Sequence, residues 1–259
     1  MSQTSAVSQN PSRLTPSPFT PTRLFYTFAA ALMLVLTFIG FSKFFLNGQA
    51  YPGRPIAPPI KTLVIAHGSA MTAWLLLLLV QPLLILRNQR RLHMTLGTLG
   101  AALATLILIL GTWLAIQSAT VTPPEARIWG LPPKQFMAVP FISVWIFAAF
   151  VALGIAFRRK PAVHRPMMLL ATLSAMSAAI SRIDPLNNLY LGTVWERLFG
   201  PFALTLALGV LLLIIRMIIT RAFDRWFTLG MTALIALDLF IWQIAPTPAW
   251  QGFATIFVP

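Results

Sequence analysis

The residues of this chain best suited to chemistry are its three histidines, one aspartate set in an apolar run, and the polar side chains in register with them. His67, Trp74 and Gln81 stand seven apart. On a helix they fall on nearly one face. A polar stripe in an apolar helix turns away from hydrocarbon, because an unpaired polar group there is costly. His67 could ligate, relay a proton or contact a substrate. It could equally be packing glue, hydrogen-bonded to a neighbouring helix.

His93 and His164 form a second pattern. Each follows a tryptophan by 19 residues (Trp74, Trp145), and each closes a basic cluster, RNQRRLH or RRKPAVH. If the two stretches pack side by side, the histidines reach one depth. A bis-histidine haem b iron then fits between them, with nearby arginines for its propionates; a quinone is the other redox cofactor considered. The rival uses of the same turns are contact with anionic lipid headgroups and plain solvation. His67 and His93 are 26 residues apart and lie near opposite faces. One metal shared by all three histidines is excluded, and no metal site is expected.

Asp238, in LIALDLFIWQ, is the most expensive residue to bury. It needs a partner: Arg182 first, His67 second, or a hydrogen bond to a protonated carboxyl. The expectation is an outer-half buried polar cluster of His67, Arg182 and Asp238, with Trp74 and Gln81 on the same stripe. Ser174, Ser177 and Ser181 share a helix face; they either pack closely or line a path. Arg216 is expected to snorkel to the interface. The sequence holds no phosphate loop, HExxH or nucleophile elbow with partners. No catalytic residue is assigned, and the balance leans away from an enzyme.

The elements that must position these residues follow from composition. Of 259 residues, 58% are hydrophobic and 9% charged, against about 25% charged in a soluble domain. Lipid must be the solvent for much of this surface. Apolar runs near 20 residues recur without the alternation of strands, so the fold class is all-α, an integral membrane bundle rather than a barrel. The net charge of +14 reads as topology signals in short turns, not as nucleic-acid binding. There is no cysteine, hence no disulfide and no thiolate site.

Seven helices are predicted, at about 24–46, 62–86, 94–117, 136–157, 166–183, 200–220 and 226–245. Residues 1–22 read as a disordered cytoplasmic tail, 23–246 as the transmembrane domain and 247–259 as an apolar interfacial tail. With the N-terminus inside, 12 of the 19 Lys and Arg are cytoplasmic, which favours N-in, C-out. Residues 70–105 align with 141–176 at an offset of 71, keeping Trp, basic cluster and His in register. The second and third helices are then a parallel duplicate of the fourth and fifth.

His67-Gly68, Trp74, Gln81, the L-H-x-x-L-G of 92–97, the H-R-x-M-M-L-L-A-T of 164–172 and Arg182 together resemble an uncharacterised group of bacterial multi-pass inner-membrane proteins. The likeness covers about 60–185 and implies location and topology, not an activity. A looser likeness is to cytochrome b561-type and ferric-reductase-type membrane domains. With three histidines rather than two pairs, at most one bis-histidine site is implied. Three function classes follow: a redox-cofactor protein using His93 and His164, a small-molecule or proton-coupled transporter using His67, Arg182 and Asp238, and a non-catalytic accessory or assembly subunit. Its protein partners are not specified by the sequence.

Overall fold

The computed structural model of the chain describes residues 21–51, 53–56 and 58–258. Most of the predicted N-terminal tail, 1–20, and Pro259 lie outside the described residues. The first apolar run folds as α1, Pro21–Gly40, followed by the short α2, Ser42–Asn47. A two-residue antiparallel ribbon, β1 Gln49–Ala50 and β2 Arg54–Pro55, closes the loop that follows.

Then come the two hairpins. α3 spans Lys61–Leu86 and α4 spans Arg90–Val121. Their turn is short because Asn88 adopts the left-handed conformation (φ 59°), which ends α3 and lets Gln89 N–H reach back to Leu84 C=O at 2.8 Å. A single-turn α5, Pro133–Phe136, leads into α6, Ala138–Ala156; after the second basic turn comes α7, Pro161–Ala175. The chain tightens at Met176 and resumes as α8, Ser177–Ile180. Short helices α9, Asp184–Asn187, and α10, Val194–Phe199, cross the next loop. α11, Ala203–Thr220, α12, Arg225–Ile244, and α13, Pro248–Ala254, complete the chain.

Among the described residues, five stretches are long and apolar enough to cross a membrane: Lys61–Leu86, Arg90–Val121, Pro133–Ala156, Val194–Thr220 and Arg225–Ile244. The apolar part of α1, Leu24–Gly40, is shorter, and α7 is broken from α8. The break has a local cause. The Ser174 hydroxyl donates to Ala171 C=O at 2.7 Å, and Met176 N–H bonds Leu173 C=O, one residue short of α-helical spacing.

The helix starts differ from those the sequence predicts. Helix continues through Arg90–Arg91 and Pro161–Arg165, so His93 and His164 lie in first turns of helices rather than in loops. Proline at the first position of α7 costs nothing there.

α6 and α7 pack on each other, as do α3 and α4, and α4 against α6 joins the hairpins; α1 lies on α3 and α8, and α12 on α6 and α7. Small residues set these approaches. Gly154 lets Met168 of α7 meet α6, and Gly230 takes Leu170 and Met167 of α7. Trp74 is 2% exposed, crosses edge-on to Phe147 at 4.9 Å and donates to Thr172 Oγ1 at 3.0 Å. Its sequence counterpart Trp145 is 51% exposed. The two hairpins therefore share their turns but not the environment of their tryptophans. The C-terminal segment folds back: Trp250 is buried and donates to Lys134 C=O at 3.0 Å, while Ile256 stays exposed.

In the loop between α2 and α3, Tyr51 donates to Asp184 Oδ1 at 2.5 Å, tying the ribbon region to α9. The hydrogen bond to Asp184 is the main cause that raises the Tyr51 phenol above its usual 10.0; burial and the Asp184 charge add to it, and Arg182 opposes it. A phenol raised on folding stabilises the fold fully below its unfolded value, and that contribution is lost as pH climbs through the raised one. Absorbance titration of tyrosinate should show a late-titrating step that Tyr51→Phe removes and Asp184→Ala moves down. A step unmoved by Asp184→Ala refutes the link.

Candidate functional site

The two hairpins bring His93 and His164 together. Their ring centres are 6.4 Å apart and the rings nearly perpendicular, at 85°. α4 supplies one ring and α7 the other, each four residues into its helix.

Each ring is oriented through Nδ1. His164 Nδ1 bonds Gly154 C=O at 2.8 Å. That carbonyl lies in the last turn of α6, where intrahelical donors run out, so His164 caps the helix it packs on. The carbonyl cannot donate, so the His164 proton sits on Nδ1 and Nε2 keeps its lone pair. Gln81, reaching from α3, orients the other ring. With its amide assigned by the surrounding donors and acceptors, its nitrogen donates to His93 Nδ1 and to His93 C=O (3.2 Å), and its oxygen accepts from Gly97 N–H at 3.1 Å. His93 Nδ1 then accepts, which places its proton on Nε2. The pair thus offers one Nε2 lone pair and one Nε2–H. Both rings are part-buried, and Arg165 is adjacent in the chain.

The other polar residues singled out by sequence are placed separately. Trp74 bonds Thr172, and Gln81 belongs to His93. His67 sits in the space that Gly111 leaves: a Cβ there would stand 3.1 Å from His67 Cε1 and 2.8 Å from Val144 Cγ2. Its Nδ1 is buried with no hydrogen-bond partner among the described residues. Arg182 stacks over Phe41 at 4.8 Å and donates to Ala178 C=O. Asp238 is 1% exposed, between Leu234 and Ile241 on the core stripe of α12, and neither carboxyl oxygen has a hydrogen-bond partner among the described residues. Eight residues beyond Gly230 is ~12 Å of helix, which sets Asp238 level with the α7–α8 break, where Ser174 and Ser177 are buried. No described hydrogen bond or ion pair joins any two of His67, Arg182 and Asp238.

Arg216 reaches the turn that follows its own helix. Its Nε lies 3.5 Å from Asp224 Oδ2, and its guanidinium lies over the rings of Phe25 and Tyr26 at 5.9 and 5.7 Å. Sequence reasoning passed over this group because its members are spread over two helices and a turn. The signal available was the DR of RAFDR, where Asp224 caps α12 by accepting Phe227 N–H at 3.1 Å.

Among the described residues no three His, Cys, Asp or Glu side chains are grouped to hold a metal ion. A two-histidine site remains, of the kind a macrocycle completes with its own four donors. Composition and the five apolar helices define the class: a helical multi-pass membrane protein. No protein-family model, curated protein or solved structure matches this chain.

Proposed function

We propose that this chain is a seven-span bacterial inner-membrane protein, N-terminus inside, that binds a redox cofactor between His93 and His164, with haem b the first candidate. The five long apolar helices, the shorter α1 and the broken α7–α8 supply the seven spans. The basic residues of the two hairpin turns supply the orientation. A duplicated hairpin accounts for the matching turns.

The observation that carries the cofactor reading is the histidine separation. Two imidazoles on opposite sides of one metal, with bonds of ~2.0–2.1 Å, hold their ring centres about 6 Å apart; these stand at 6.4 Å. Both rings also have a partner on Nδ1, the outer contact that orients ligand histidines. Ligation by His93 requires its proton to move to Nδ1 and the Gln81 amide to turn over and accept it.

The tautomers favour a second reading within the same site. As they stand, His93 Nε2–H can donate to a quinone carbonyl and His164 Nε2 can accept from a quinol hydroxyl.

Absorption spectra of the purified protein, oxidised and then reduced, test both. Haem gives a Soret band that His93→Ala or His164→Ala abolishes and that Gln81→Leu weakens, by roughly 10–100-fold in affinity. Quinone gives no Soret band but appears in a solvent extract of the wild type and not of the histidine variants. Protein that is colourless, takes up no added haem and yields no quinone sinks the proposal.

A further inference from the structure

On a different face of α7 from the histidine pair, a cavity of about 450 Å³ opens between α1, the start of α7, the end of α11 and the α11–α12 turn. Three arginines line it, Arg165, Arg216 and Arg225, against one carboxylate, Asp224. Asp224 is already engaged, capping α12 with Oδ1 and pairing with Arg216 through Oδ2. By formal charge the described lining residues carry a net +2.

Two of the three cations are stacked on rings. Arg216 lies over Phe25 and Tyr26, and Arg225 over Trp226 at 4.8 Å. A guanidinium stacked on a ring keeps its N–H edge for an oxyanion, and that edge matches a phosphate. The mouth is apolar: Phe223, on the turn, is 70% exposed and lines the same cavity as Trp226. Aromatic side chains at this level of a membrane protein sit among headgroups.

We propose that this cavity binds the phosphate group of an anionic membrane lipid, with Arg165 and Arg225 on the phosphate and Phe223 and Trp226 against the glycerol and upper acyl chain. The arginine chemistry alone would suit a free phosphate equally. The aromatic mouth is what selects the lipid. The inference stands independently of the cofactor reading, since no residue of the histidine pair lines the cavity.

The test uses the full chain in neutral-detergent micelles and reads its thermal midpoint. Phosphatidylglycerol, phosphatidylcholine or inorganic phosphate is added in turn. Arg165→Gln with Arg225→Gln removes two cavity charges. Arg158→Gln with Arg159→Gln removes two from the exposed turn after α6. Arg216 is left intact because its ion pair ties α11 to the start of α12 and its ring contacts tie α11 to α1. Phosphatidylglycerol should raise the wild-type midpoint with dose, and phosphatidylcholine should not. The rise should vanish in the cavity variant and persist in the turn variant. A rise that survives in the cavity variant, is lost equally in the turn variant, or is matched by phosphatidylcholine overturns the proposal. An equal, cavity-dependent rise with inorganic phosphate overturns the lipid as its source. Should the double cavity variant not fold, Arg225→Gln alone, an exposed side chain, must reduce the rise; an undiminished rise overturns the site.

Discussion

Gly40→Val lowers the thermal midpoint of the protein more than any other single change considered. Gly40 ends α1 where that helix meets α8. A Cβ at this position would lie 2.1 Å from the backbone oxygen of Ala179 and 2.7 Å from its carbonyl carbon. Backbone cannot rotate away as a side chain can, so one helix must shift. Overpacking of this kind costs about 3 kcal/mol or more when the obstacle is rigid. Gly97→Ala is the matched control. The nearest atom to its added Cβ belongs to the Gln81 side-chain amide, 4.0 Å away. There an added methyl is expected to be neutral or to stabilise by up to ~1 kcal/mol through lost chain entropy. Thermal midpoints of the two variants in one detergent check the contrast. A Gly40→Val protein as stable as the wild type would mean that α1 does not rest on α8.

Asp238→Leu is expected to stabilise. The carboxyl group is buried on the core stripe of α12 with neither oxygen hydrogen-bonded among the described residues, and Leu has the same number of side-chain heavy atoms, branched at the same carbon. An unsatisfied buried polar group costs about 1–3 kcal/mol, and exchanging it for an apolar side chain recovers much of that. Asp238→Asn keeps the polarity and should change stability less. If Asp238→Leu instead destabilises, the carboxyl has a partner in the membrane, and Arg182 or His67 is where to look. A stabilised variant that has lost an activity would mark Asp238 as retained for function.

The separation of His67, Arg182 and Asp238 illustrates what lies beyond the reach of sequence. Period and composition place each in an apolar helix or at its end. They do not say which faces meet. Gly111 opens the α4 surface that receives His67; Phe41 and the Ala178 carbonyl hold Arg182; α12 packs on α6 and α7 rather than on α3. Side-chain partners are set by helix rotation and neighbour choice. In a chain this uniformly apolar, many rotations look alike to a hydrophobicity pattern.

By itself the sequence determined the class of the molecule: helices, apolar enough to cross a membrane, with short basic turns and two histidines at matching positions after them. Those properties depend on local composition and on the length of apolar runs, which the chain carries residue by residue. Tertiary structure decided the rest. It brought His93 within 6.4 Å of His164 and gave each ring its Nδ1 partner. It made Trp74 a buried donor and left its counterpart Trp145 exposed. It also gathered Arg165, Arg216 and Arg225, from three helices, around one cavity. The physical reason is common to all three. Each is a contact between helices distant in sequence, settled by which small residues let two helices approach.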